Sequence, residues 1–230
     1  MTLFEQYAYP PNELGYCGPT GGDASGLAAH AREFDGAWPY LSAIAEAVGA
    51  CDPLDEEIVH SYWVGGPALA KVDPADLLAT LRASFTGQVT GLLDAVMPGP
   101  NILAHHSFHV FVVYPWMRFL DRDPATALGV MQDCRIRWGT VESVDGDQVV
   151  MTSQPLRYAD RMLTLGPPQP ERVQWRKAGL ALTGTPEPGS IVAAHWNWVC
   201  QTLTDDQCTA LESATSATLD VVNSSRGDRK

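Results

Sequence analysis

Apolar side chains recur at helical spacing through the first half of the chain. Leu27, Phe34, Trp38, Leu41, Ile44, Ala45 and Val48 mark two helices or one bent helix between Ser25 and Val48, with breaks at Gly36 and Pro39. Asp55 to Trp63 predicts a short amphipathic helix. Asp73 to Met97 predicts a longer one, with Pro74 in its first turn and Leu77, Leu78, Leu81, Phe85, Leu92, Leu93 and Val96 on its buried side. After a Pro-Gly-Pro break, Asn101 to Leu120 is densely apolar and split by Pro115, and Asp123 to Gln132 predicts a last helix. The opening run Tyr7 to Gly22 is crowded with Pro, Gly and Asn and reads as a loop.

The period changes at Cys134. Ile136 and Trp138 alternate with Arg135 and Arg137, Val141 and Val144 lead into the turn dipeptide Asp145-Gly146, and Gln148 to Thr152 supplies a returning strand. Beyond a proline-rich loop at 167–170, a Pro188-Gly189 turn launches IVAAHWNWVC, which predicts one long strand buried on both sides. Thr204-x-x-Gln207 is a capping box, and Cys208, Leu211, Thr215, Thr218 and Val222 then predict an amphipathic helix. The pattern is α+β: an all-α front half over residues 1–130, a strand-rich segment with a closing helix over 131–223, and a flexible tail at 224–230.

Charge separates the same halves. Residues 1–133 hold 16 acidic and 5 basic side chains, net −11, against 11 and 10 in residues 134–230. A net charge of −12 repels phosphate backbones and anionic lipid surfaces, so neither nucleic acid nor a membrane is an expected partner. The basic residues from Arg226 to Lys230 read as a solvated tail. The five cysteines are odd in number and form no C-x-x-C pair, which argues against a disulfide framework or a four-thiolate zinc site and for a reducing cytoplasm. The strongest apolar run, Val110 to Met117, is too short to span a bilayer.

Three sets of residues carry candidate chemistry. Cys134 on its strand shares a face with Ile136 and Trp138. It reads either as a buried small hydrophobe or as a soft metal ligand, and Arg135 and Arg137 read either as favouring a thiolate or as solvated. His195 reads as a hydrogen-bonded core histidine or as a functional imidazole. In HHSFHVF, His105 and His109 stand four apart, the helical spacing of many zinc sites, without the glutamate of H-E-x-x-H. A metal-dependent hydrolase built on His105, His109 and a carboxylate such as Asp94 or Asp121 is therefore one alternative, and an adaptor with an inert Cys134 is another. Cys17, between Tyr16 and Gly18, reads as an exposed thiol or part of a packed turn.

The order of these elements resembles the hydrogenase expression and formation chaperone family of the HypC/HupF type. CRIRWGTVESVDGDQVVM is similar to its cysteine, first strand and hairpin, and PGSIVAAHWNWVCQTLTDDQCTALESATSATL to its histidine-bearing strand and closing helix. The resemblance implies a small OB-like β-barrel with a C-terminal helix and no catalytic residues. It implies that Cys134 and His195 handle a transiently bound iron carrying cyanide and carbon monoxide. The implied partners are an iron-sulfur scaffold protein and a nickel-iron hydrogenase large-subunit precursor. A lone thiolate suits such a cargo, because it holds a soft metal and releases it by exchange with another thiolate. The signatures YAYPPNELGYCGP and HHSFHVF also look like those of a larger uncharacterised family, which implies no activity.

Overall fold

The chain turns helical at its third residue. In the computed structural model, which describes residues 1–227, Thr2 Oγ1 accepts from Glu5 N and the Glu5 carboxylate accepts from Thr2 N. This capping box starts α1 (Leu3–Glu13), where the sequence predicts a loop from Tyr7 onward. Pro10 and Pro11 lie inside this helix near its end, so their missing N–H groups strand only the carbonyls of Gln6 and Tyr7, and the N-terminal cap carries the helix through them.

Of the two readings of 25–48, the broken one holds, as a 3₁₀ segment (Leu27–Glu33) and α2 (Trp38–Val48), and Gly49 ends α2 at φ +72°. Then come α3 (Glu56–Trp63) and α4 (Pro74–Ser84), the latter capped by Asp73. Helix α4 stops well short of Met97. Past Phe85 the backbone bonds across to another segment, Gly91 N to Val113 O at 2.9 Å and Leu92 N to Val112 O at 2.7 Å. Leu92, Leu93 and Val96 are still buried, but from an irregular strand of chain. The short turn α5 (His106–Phe108) widens into a π-helical turn (His109–Val113), and α6 (Pro124–Cys134) closes the helical half.

The strands that follow are β1 (Arg137–Asp145), β2 (Gln148–Ser153), β3 (Leu156–Ala159), β4 (Met162–Leu165), β5 (Gln169–Gln174), β6 (Arg176–Lys177), β7 (Leu180–Ala181), β8 (Ile191–His195) and β9 (Trp198–Leu203), before α7 (Asp205–Gly227). Five of them form a closed sheet in the order β1-β2-β5-β9-β8, with β8 returning to β1. Closure between β5 and β9 rests on one parallel pair, Gln174 with Trp198. Val141, Val149, Met151, Val173, Val192, Ala194 and Val199 fill its interior. The mixed α+β class therefore holds: helices first, a strand-rich region, then a closing helix.

Several local expectations change. Cys134 ends α6 instead of opening a strand. IVAAHWNWVC is a hairpin, because the chain reverses at Trp196 (φ +50°) and Asn197, so His195 pairs with Trp198. The reversal puts Ala193, His195, Trp198 and Cys200 on the face toward the helices and Val192, Ala194 and Val199 inside. Part of the proline-rich loop is β5. Arg226 is buried on α7 and makes two bonds to Asp121, at 3.0 and 3.1 Å, so it belongs to no solvated tail; residues 228–230 lie outside the described residues. One apolar core runs from Phe4 to Val222 through the helices and the outer face of β8 and β9. No helix among the described residues is long and apolar enough to cross a membrane.

Two glycines give opposite expectations. A Cβ at Gly91 would lie 2.4 Å from Tyr114 O and 2.9 Å from Val112 O, so Gly91→Ala should destabilise the fold by about 3 kcal/mol through forced backbone movement. Gly129 is exposed within α6 with nothing near its Cβ position, so Gly129→Ala should stabilise by about 0.5–1 kcal/mol. Urea denaturation midpoints of the two variants should move in opposite directions.

Candidate metal centre

The end of α6 and the β8–β9 turn are fastened to each other by main-chain carbonyls. Asp133 O accepts from Trp196 N at 2.7 Å and from Arg137 Nη1 at 3.1 Å, and Gln132 O accepts from the same Nη1 at 3.2 Å. Arg137 also donates to Trp196 O, at 2.5 Å, and pairs with Glu171 at 3.1 Å. These bonds satisfy the last carbonyls of α6, which have no helical donor. Arg135 is buried too, donating to Gln132 Oε1 and Gln154 O. Both arginines are thus structural ties, neither solvated nor free to attend a thiolate, and burial followed by the charge of Arg137 lowers the Arg135 pKa to about 9.

The clamp sets His195 beside Cys134, and α5 brings His106 to the same place. One ligand atom from each of the three residues lies within 4.8 Å of the others, and all three residues are buried. His195 Nδ1 donates to Tyr7 O at 2.7 Å, the carbonyl left free because Pro11 has no N–H. The His195 proton is therefore on Nδ1, and Nε2 faces the buried site with no hydrogen-bond partner. A carbonyl bond that fixes the tautomer and aims the other nitrogen is the usual support of a metal-binding histidine.

His106 is held on both sides, Nδ1 against Tyr62 Oη at 3.0 Å and Nε2 against Cys134 O at 2.8 Å. Tyr62 Oη also donates to Gly36 O. Cys134 O can only accept, so the His106 proton sits on Nε2; a cation could take that nitrogen only if the proton moved to Nδ1, toward Tyr62 Oη, and Cys134 O gave up its donor. A cation bound by thiolate and imidazole sits about 2.0–2.3 Å from its ligands, so loading would draw the three atoms in by about 1 Å. Two imidazoles and one thiolate suit a soft or borderline transition metal with an open coordination position.

The other sequence candidates lie elsewhere. His105 precedes α5 in extended backbone and its Nδ1 accepts from Ser107 N, so His105 and His109 do not share a helical face. His109 sits in the π turn with Nδ1 3.3 Å from Tyr40 Oη. Asp94 is exposed, and Asp121 is exposed and paired with Arg226. Among the described residues, the only three-ligand group is His106 with Cys134 and His195. His106 belongs to the histidine cluster that the sequence shows with His105 and His109, but the four-residue spacing singles out its neighbours and nothing in HHSFHVF shows which ring meets the barrel.

Burial governs the electrostatics. It raises the Cys134 thiol, with Cys17 and Asp133 adding to the effect, and lowers His195. Burial also lowers His106 to about 4, and, helped by the charge of His106, His105 and His109 to about 3. These imidazoles stay neutral in the folded protein but take up protons near pH 6.5 when unfolded. Their contribution is whole above that pH and is lost as pH falls below it, by about 2 kcal/mol for each imidazole at pH 5. The metal-free protein should therefore show a steep drop in denaturant midpoint between pH 7 and pH 5, and His105→Gln should flatten that drop.

No curated protein and no solved structure matches the chain significantly. The model of DUF6390, a family of unknown function, matches residues 1–229. The match spans nearly the whole length, helices and barrel alike, and this chain is accordingly a member of the DUF6390 family.

Proposed function

We propose that this chain is a non-catalytic metal carrier that grips a transition metal through Cys134, His195 and His106. The supporting observation is the meeting of Cys134 with His195 in a buried group completed by His106. Sequence resemblance picks out the first two from segments some sixty residues apart. In the finer reading the cargo is iron bearing cyanide and carbon monoxide, taken from an iron-sulfur scaffold protein and delivered in the cytoplasm to a hydrogenase large-subunit precursor. The Cys134 thiolate holds such a centre and the two neutral imidazoles orient it. Release is by exchange, with the thiolate of the receiving protein forming its bond to the metal as the bond to Cys134 breaks. The acidic helical half supplies the surface that selects the receiver.

Cys134 is 5% exposed, and this favours a second reading in which the group is a hydrogen-bonded core and the protein an adaptor. Metal analysis separates the two. Protein isolated without oxygen from hydrogenase-producing cells should carry close to one iron per chain with infrared bands of bound cyanide and carbon monoxide, and Cys134→Ser should carry none. Native protein that takes up neither iron nor added cobalt(II) or zinc would leave the adaptor.

Pro11 gives a subtler test. Pro11→Ala restores an N–H that competes for Tyr7 O and loosens the His195 ring, so metal affinity in a chelator competition should fall by about 10–100-fold while the circular dichroism spectrum is kept.

A further inference from the structure

A polar cavity of about 300 Å³ opens beside the loop that follows α1. Cys17, His109 and Tyr114 line its inner part, exposed Glu33 and Asp35 stand at its edge, and no Lys or Arg lines it. His109 is 1% exposed, and its Nε2 is buried with no hydrogen-bond partner. Gly36 flanks that nitrogen, where a Cβ would lie 2.8 Å away. Cys17 Sγ lies 3.5 Å from Tyr114 Oη, and the Tyr114 ring packs edge-on against His109 at 4.4 Å.

The cavity backs onto the metal centre. The His109 ring stands 6.4 Å from the His106 ring and is nearly parallel to it. Gly36 on the cavity wall accepts from Tyr62 Oη, which lies 3.0 Å from His106 Nδ1. Over the mouth, Tyr16 stacks at 4.3 Å on Trp196, the residue after His195. An acidic edge gathers cations, and a thiol beside an imidazole selects soft and borderline ones.

Resting on the carrier reading, we propose that this cavity is the port through which a soft or borderline transition-metal cation reaches the centre, with Cys17 and His109 as its transient ligands. The entering cation bonds to Cys17 sulfur and His109 Nε2, and the Cys17 thiol proton leaves to solvent. The bonds to Cys17 sulfur and His109 Nε2 then break as those to Cys134 sulfur and to the imidazoles of His106 and His195 form, and the Cys134 proton returns to Cys17. Nothing is oxidised or reduced.

Cobalt(II) uptake by the reduced full-length protein, followed by stopped-flow through its thiolate charge-transfer absorbance, tests the port. Cys17→Ser and His109→Asn should each take up cobalt at least tenfold more slowly and reach the wild-type endpoint of one ion per chain, while Cys51→Ser, which removes an exposed thiol, should match the wild type. Asp35→Asn, an exposed change that leaves the core alone, should slow uptake by about 2–10-fold, and added salt should shrink that difference. Wild-type rates in Cys17→Ser, His109→Asn and Asp35→Asn would overturn the port and leave the carrier reading standing. A lowered endpoint in Cys17→Ser would make Cys17 a resident ligand and also overturn the port. Failure of the wild type itself to bind cobalt would overturn the carrier reading, and the port with it.

Discussion

Two helix carbonyls deprived of helical donors join the halves of this protein, and both accept from the same barrel turn. Tyr7 O lost its donor to Pro11 and takes His195 Nδ1; Asp133 O lies at the end of α6 and takes Trp196 N and Arg137. Buried carbonyls left unpaired would each cost about 1–3 kcal/mol, so both contacts are firmly specified. The ligand geometry follows from them: the first bond orients the His195 ring, the second fixes how far that ring stands from Cys134.

Around that junction the thiol and the imidazoles are kept uncharged by burial. The site holds a neutral imidazole of fixed tautomer and a protonated thiol, and a cation binding there would have to displace the thiol proton. Arg137 lies near but is committed to carbonyls and to Glu171, so its charge holds structure in place and does little for a thiolate. Burial thus leaves the Cys134 thiol protonated and of low reactivity.

The periodicity of the chain showed the helical front, the Asp145-Gly146 hairpin and the capped last helix, because each is set by local spacing and turn chemistry. It missed α1, where the Thr2 and Glu5 cap outweighs two late prolines. It also missed the turn at Trp196, a bulky residue in a left-handed conformation that only Arg137 and Asp133 make tolerable. Cys134 and His195 could be named from motifs; that they lie side by side could not, since the contact depends on the hairpin reversal and on the end of α6. His106 was illegible for a related reason. Which of three neighbouring histidines faces the barrel is decided by the π turn and by Tyr62, and neither leaves a mark in spacing.

The sheet is fastened unevenly. Strand β8 is laced to β1 along four residue pairs, whereas β9 meets β5 at a single rung. The hairpin that carries His195 is thus hinged on one long side and latched at one point on the other. Mechanical load on the barrel would be felt by the imidazole before the aliphatic interior yielded, so any body leaning on the β5 edge would have leverage on the spacing between His195 and Cys134.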